Sequence, residues 1–380
     1  MIKNSNTAGF IFGYHGGLEL ALKIYGGDIN RINEFFLIEK YSKKYDKVFV
    51  FSCDKKKYSH ILPKNAIHII IKNKLFYILF GWIVIAHYAK KYKIQHLRAI
   101  RSPVLPNVFM VNKLTNTKIL MDYNYLWHAI YKEDRRDDSF YEILKKNKVM
   151  ALIVLILEKF LVNFVDYFIV GDPAVEKYIK DKSKILPIKK AIRTDGFNKS
   201  IKLHKIYEKI RGPSIVFVGR IVPMKDPMTL IKAYKIAKKT IPDLNLIICG
   251  DGPLMQECKK ISDNGVHYLG RISNVAGVLK KADIYICSSR YDPSPKSLME
   301  AMAMGIPCIA TNTGGVSYYM NNSCGILIEP KNPEIMAEKI IYLLKHKEIA
   351  KELGRKAKQR IYEEYDLEKN TDKVFNIFGK

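Results

Sequence analysis

The chain has no C-x-x-C pair. Its six cysteines (Cys53, Cys249, Cys258, Cys287, Cys308 and Cys324) are scattered through 380 residues. That spacing excludes a zinc ribbon and a disulfide framework, and it points to a reducing compartment. There is no uninterrupted apolar run of the roughly 20 residues a spanning helix needs. Leu75–Ala89 is too short, and Val149–Val170 is broken by Glu158, Lys159, Asn163 and Asp166. Met1–Thr7 is polar and no secretory core follows it, so no signal segment is expected. Acid is in short supply, with 37 Asp and Glu against 64 Lys and Arg, a net charge of +27. The cations are spread along the chain, lysine far outnumbers arginine, and there is no arginine-rich arm or nucleic-acid motif. Nucleic acid is therefore excluded as a partner, while an anionic membrane surface stays in view. No D-x-D pair or octahedrally spaced carboxylate cluster is evident, so no metal is expected. The acidic stretch Glu133–Asp138 reads as a solvated loop.

What is present is a globular composition, 48% apolar and 27% charged, in a chain long enough for two domains. Leu18–Ser52 reads as strand, Gly26-Gly27 turn, helix and strand, a βαβ unit with Asp28 as candidate N-cap. The preceding GFIFGYHGG is an extra strand or an extension. ILMDYNYL and DYFIVGD read as further strands. The second half repeats the rhythm with SIVFVGRIV, LNLIICGDG, VHYLG, ADIYICSS, IPCIATNTGG and CGILIEP, each followed by a turn or a helical stretch. Alternation in both halves predicts two doubly wound α/β domains, with a basic linker at about Ile188–Lys209. Leu75–Ala89 and Val149–Val170 read as buried core helices, or as a face lying on a membrane. For the first of these, Lys72, Lys74, Lys90, Lys91 and Lys93 supply the flanking charge.

The chemistry concentrates at carboxyl ends of strands in the second half, where open α/β sheets bind ligands. Arg220 and Lys225 follow Ser214–Gly219 and suit a diphosphate, or belong to a solvated lysine-rich loop. CGDGP (Cys249–Pro253) reads as plain turn chemistry. Asp292 and Pro293 lead to Ser294 as N-cap and Pro295 as first residue of a helix that runs to Met304 and stops at Gly305 and Pro307. The start of that helix attracts phosphate, and Glu300 in its second turn can accept two ribose hydroxyls. Gly314 and Gly315 let backbone approach a ligand closely.

GRIVPMK, CGDGP, VHYLG, KADIYICSS, DPSPKSLMEAMAMGIPCIATNTGG and CGILIEP, in this order and spacing, resemble the family 4 glycosyltransferases over roughly Ser214–Pro330. The resemblance implies the GT-B fold, two Rossmann-like α/β domains facing a central cleft. It places the acceptor domain at 1–195, the nucleotide-sugar domain at 196–365 and a C-terminal helix at 366–380 crossing back. It implies retaining transfer from a nucleotide-diphosphate sugar to a glycan or lipid-linked acceptor, with no cofactor and no metal. The expected location is cytoplasmic, at the inner face of the plasma membrane if peripheral. Arg220 and Lys225 would bind the donor diphosphate, with the Ser297 and Leu298 region, Gly314 and Gly315 beside it. Glu300 would hold the ribose, and Asp292 would face the donor sugar as first acid of a D-x7-E motif. Gly26, Gly27, Asn124 and His128 would serve the acceptor. The family often has Gly-Phe-Gly where this chain has Pro293, Ser294 and Pro295, and an acid where it has Tyr318. Two other readings are a nucleotide-sugar epimerase and a non-catalytic partner subunit on the same fold.

Overall fold

The computed structural model describes residues 6–12, 18–24, 32–100, 105–123, 148–197 and 201–378. The chain forms two compact units, Met1–Lys190 with Glu368–Lys380, and Ala191–Leu367.

The first unit is built on a seven-stranded sheet of β1 (Thr7–Phe12), β2 (Lys47–Ser52), β3 (Ala66–Ile70), β4 (His96–Ile100), β5 (Lys118–Tyr123), β6 (Tyr167–Val170) and β7 (Ile185–Lys189). All neighbours are parallel, in the order β3-β2-β1-β4-β5-β6-β7. Strands covered on both faces need continuous apolar sequence, and TAGFIF is buried at every position. Gly9 lies where β2 and β4 close on β1, and a Cβ there would sit 2.9 Å from the Phe49 carbonyl oxygen.

The first strand is therefore TAGFIF, which takes in the start of GFIFGYHGG, and Leu18–Ile24, expected as a strand, is helix α1. Its residues are mostly straight-chain helix formers, and Leu18 and Ala21, three apart, are its buried contacts. The other helices of this unit are α2 (Asn33–Lys44), α3 (Lys74–Lys91), α4 (Leu105–Leu114) and α5 (Lys148–Leu161). Ile32 occupies the N-cap of α2 with no side-chain cap bond, and Asp28, the expected cap, lies outside the described residues.

The second unit carries six parallel strands, β8 (Ser214–Val218), β9 (Asn245–Cys249), β10 (Val266–Gly270), β11 (Ile284–Cys287), β12 (Cys308–Thr311) and β13 (Ile326–Ile328), in the order β10-β9-β8-β11-β12-β13. Its helices that matter below are α6 (Pro227–Thr240), α7 (Met255–Ile261), α8 (Lys296–Ala303), α9 (Pro333–Lys345) and α10 (Lys347–Glu364), while α11 (Leu367–Phe378) belongs from Glu368 onward to the first unit. Both α6 and α9 start with an Asx cap followed by proline. Asp226 accepts from the Thr229 amide, and Asn332 from that of Ile335.

Helix α11 seats on the first unit through aromatic contacts. Phe375 packs on Tyr41 with ring centroids 4.9 Å apart, and Phe378 packs on His96 at 4.8 Å and on Tyr167 at 5.1 Å. Burial, with Lys44 and Lys118 nearby, pushes the His96 pKa down to about 4 from 6.5, and its Nδ1 is buried without a partner. The folded pKa lies below the unfolded one. The stability gained from a neutral ring is thus present above pH 6.5 and lost as pH falls through about 4. The expected loss is roughly 1–2 kcal/mol, less than the full shift because the ring is partly open to water. Urea midpoints at neutral pH and near pH 4 should fall further in wild type than in His96→Phe. Equal falls would remove His96 from the account.

Candidate active site

Strand order in the second sheet reverses between β8 and β11, so the loops after these two strands diverge and leave a crevice at their carboxyl ends. Each predicted donor-site residue belongs to the loop or helix that follows β8, β11 or β12.

After β8 the chain runs through Arg220, which is exposed, into a 3-10 turn, Pro223–Lys225. Lys225 projects back across the switch point and ion-pairs with Asp292, whose side chain is only 7% exposed. The two loops are stitched at three further points. Ser288 Oγ donates to the Lys225 carbonyl at 2.8 Å, and the Arg290 amide donates to the Met224 carbonyl at 2.8 Å. Arg290 also grips Asp226 with two guanidinium nitrogens, at 3.0 and 3.3 Å. Asp226 holds a left-handed backbone, φ 46°, and accepts from both the amide and the hydroxyl of Thr229 at the start of α6. One buried carboxylate thus caps a helix and fixes the neighbouring loop.

Asp226 and Arg290 were not singled out from sequence. The signal for Asp226 was present, since an acid before Pro-x-Thr is an N-cap pattern. Nothing in the sequence pairs it with Arg290, 64 positions away.

Helix α8 begins one residue later than expected, with Pro295 at the N-cap and no side-chain cap. The reason is an Asx turn. Asp292 Oδ1 accepts from the Ser294 amide at 3.3 Å, and the Lys296 amide bonds the Ser294 carbonyl at 2.9 Å. The Ser294 hydroxyl instead meets the Tyr319 hydroxyl at 3.5 Å. The first α-helical bond runs from the Met299 amide to the Pro295 carbonyl, 3.1 Å. The Ser297 and Leu298 amides precede it, in the turn whose N–H groups a helix leaves open. Ser297 Oγ accepts from the buried Tyr285 hydroxyl at 2.8 Å. Burial pushes the Tyr285 phenol well up, so it stays a donor at neutral pH. Glu300 is 2% exposed in the second turn. The helix ends in a Schellman motif at Gly305, φ 77°, with Ile306 bonded back to Ala301 and Gly305 to Met302.

Gly314 and Gly315 follow β12, and their close approach is to the protein itself. A Cβ on Gly314 would lie 2.6 Å from the Asp292 carbonyl oxygen, and the Gly315 amide donates to that oxygen at 2.8 Å. Thr313 Oγ1 holds the Arg290 carbonyl at 2.8 Å. The glycine pair therefore sets the Asp292 backbone. The CGDG turn after β9 braces the Arg220 loop in the same way, with the Ile221 amide bonded to the Asp251 carbonyl at 3.0 Å.

The acceptor calls, Gly26, Gly27, Asn124 and His128, all lie outside the described residues, as does Glu133–Asp138. With β1 at Thr7–Phe12, the glycine pair next after the first strand in sequence is Gly16-Gly17, not Gly26-Gly27. At the carboxyl ends of β2 and β3 the first unit buries a polar cluster that sequence reading missed. His68 Nε2 lies 2.7 Å from Ser52 Oγ and 3.4 Å from Asp54 Oδ2. Asp54 accepts from the Leu18 and Glu19 amides, at 3.3 and 3.1 Å, at the start of α1. Burial raises the Asp54 carboxyl, but bonds from His68, Ser52 and these two amides outweigh it and hold it below the usual range.

Residues 208–360 match the family model described as "Glycosyl transferases group 1". A curated relative from Escherichia coli, "UDP-Gal:alpha-D-GlcNAc-diphosphoundecaprenol alpha-1,3-galactosyltransferase", is 27% identical over 217 residues, 53% of this chain and 56% of the relative. The chain spans about half the length of the first curated relatives it matches. Among solved structures, a glycosyltransferase from Rickettsia africae superimposes with a TM-score of 0.72 at 20% identity, over 99% of this chain and 98% of that one. An Anabaena protein, Alr3699/HepE, solved in complex with UDP, gives 0.72 at 15% identity over 98% and 99%. At these identities the likeness carries the fold, the two-domain α/β architecture called GT-B.

Proposed function

Residues 208–360 carry a group 1 glycosyl transferase domain, and from that premise we propose that the protein moves a sugar from a nucleotide-diphosphate sugar to a hydroxyl of a glycan or lipid-linked acceptor, retaining anomeric configuration and using no metal. One observation carries the reading. Lys225, Asp292 and the open first turn of α8 belong to the two loops that part at the switch point of the second sheet.

In this transfer the bond from the anomeric carbon to the diphosphate oxygen breaks, and its electron pair leaves with the diphosphate. The acceptor oxygen bonds the same carbon, and its proton passes to the departing phosphate oxygen. Charge thus develops on the diphosphate, where Arg220, Lys225 and the Ser297 and Leu298 amides would meet it with little reorganisation. Asp292 would exchange Lys225 for a hydroxyl of the donor sugar, and Glu300 would accept the ribose hydroxyls. Gly314 and Gly315 act through Asp292, whose backbone they hold. Acceptor binding falls to the first unit and its calls at Gly26, Gly27, Asn124 and His128. The UDP complex of the Anabaena protein supports a nucleotide donor, and the name of the Escherichia coli relative supports a lipid-linked acceptor. Among the described residues no three His, Cys, Asp or Glu side chains are grouped to hold a metal ion.

The test is nucleoside diphosphate release from a panel of nucleotide sugars, with and without EDTA. Release that depends on acceptor and survives chelation is the expected result. Sugar conversion without release would make the protein an epimerase. Neither outcome with any donor would make it a non-catalytic partner. Loss in EDTA restored by magnesium would overturn metal independence.

A further inference from the structure

Helices α3, α4 and α5 lie side by side on the first sheet. Asn107 of α4 donates to the Tyr77 carbonyl of α3 at 2.9 Å, and Phe109 of α4 packs against Phe160 of α5 with centroids 6.0 Å apart. The inner face of α3 is core, with Tyr77, Ile85, Ala86 and Ala89 buried. Its outer face is also apolar. Phe76, Leu79, Phe80 and Ile83, at helical spacing, are 41–50% exposed. Helix α5 repeats this with Leu152, Ile153, Ile156, Leu157 and Phe160 at 49–58%. These four and five make nine of the fifteen large hydrophobics exposed among the described residues. A monomer in water does not gather so many on two helices packed against the same neighbour, α4, without a use for them.

Charge identifies what covers this face. Helices α3 and α4 contain no Asp or Glu. The single acid of α5, Glu158, is buried and accepts from the Tyr123 hydroxyl at 2.9 Å. The exposed charges of the three helices and of the approach to α3 are cationic, Lys72, Lys90, Lys91, Lys113 and Lys159. No helix among the described residues is long and apolar enough to cross a membrane. A second copy of this chain would bring lysines against lysines on a protein of net charge +27.

We propose that α3 and α5 together form a docking face for an anionic phospholipid bilayer, with their outer apolar residues inserted among the acyl chains and the surrounding lysines on the headgroups. The sequence offered Leu75–Ala89 and Val149–Val170 alike as core helices or a membrane face, with flanking lysines for the first. The structure gives both an exposed apolar face, and the outward residues of α5 are the more exposed of the two sets. The inference deepens the acceptor side of the proposed function by placing the first unit on the surface where a lipid-linked acceptor resides. It is read without any transfer assay, so its failure leaves the transferase reading standing.

The experiment is sedimentation of the full chain with vesicles of phosphatidylcholine alone and of phosphatidylcholine with an equal amount of phosphatidylglycerol. Each is run at low salt and at about 0.5 M, where charge is screened within a few ångströms. Wild type should pellet with the anionic vesicles and release in high salt by about tenfold or more. Ile153→Ser/Ile156→Ser, at outward positions, should keep its melting temperature and bind about tenfold less. Lys90→Glu/Lys91→Glu should lose the preference for anionic lipid even if the serine variant fails to fold. Wild type left in the supernatant, or both variants binding as wild type does, would overturn the proposal. So would a concentration-dependent dimer in vesicle-free buffer that Ile153→Ser/Ile156→Ser abolishes, which would assign the face to a second copy.

Discussion

Lys225→Ala should lower turnover by roughly 10²–10³-fold, the cost of losing one preorganised donor to developing negative charge. The size of the effect follows from how firmly the lysine is placed. Its backbone is held by a 3-10 turn and by the Ser288 hydroxyl on its carbonyl. Its side chain is 18% exposed and already opposite a carboxylate, Asp292. Little ordering is left to do when a diphosphate takes the place of that carboxylate. The substitution also strips Asp292 of this cation in a nearly buried position. A stability loss of about 1–3 kcal/mol is expected alongside. Turnover must therefore be measured as nucleoside diphosphate release per folded molecule, well below the melting temperature. A variant that melts lower but turns over normally would confine Lys225 to a structural role.

The two halves of the chain were unequally legible. Strands β8, β9, β11 and β12 are buried almost throughout, the edge strands β10 and β13 less so, and all six stand out as apolar runs closed by turn residues, so the site residues at their ends could be read directly. The first unit was harder. LELALKI is apolar enough to pass for a strand, and only the buried pairing of Thr7–Phe12 with both β2 and β4 shows which segment is central. Partnerships were less legible still. Asp226 and Arg290 join loops 64 residues apart, and Asp54, His68 and the start of α1 meet across three elements. Propensity and spacing describe one segment at a time, whereas these contacts depend on which strands the sheet order makes neighbours. Gly314 shows the same limit. Its sequence context suggested room for a ligand, and the nearest atom to its missing Cβ is the Asp292 carbonyl oxygen.

Gly250 offers the sharpest test that this scaffold places the cations. It ends β9 with φ +145°, and a Cβ there would lie 1.8 Å from the Gly219 carbonyl oxygen and 2.9 Å from its carbonyl carbon. Both are backbone atoms and no rotamer change relieves them. The Gly250 amide is also spent on the Gly270 carbonyl at 2.7 Å, and the Gly219 amide on the Cys249 carbonyl at 3.0 Å, so neither strand end is loose. Gly250→Ala must force β8 and β9 apart where Arg220 leaves the sheet. A loss of roughly 3 kcal/mol or more is expected, with soluble yield falling alongside. Gly270→Ala is the matched comparison. It too has positive φ, +63°, but nothing lies within 4 Å of its Cβ, so it carries backbone strain alone, about 1–2 kcal/mol. Urea midpoints of the two variants should separate clearly, and whatever folded Gly250→Ala remains should release nucleoside diphosphate more slowly than Gly270→Ala. Equal midpoints would mean that β8 yields to the methyl at little cost, and that the Arg220 loop is not braced by the turn beneath it.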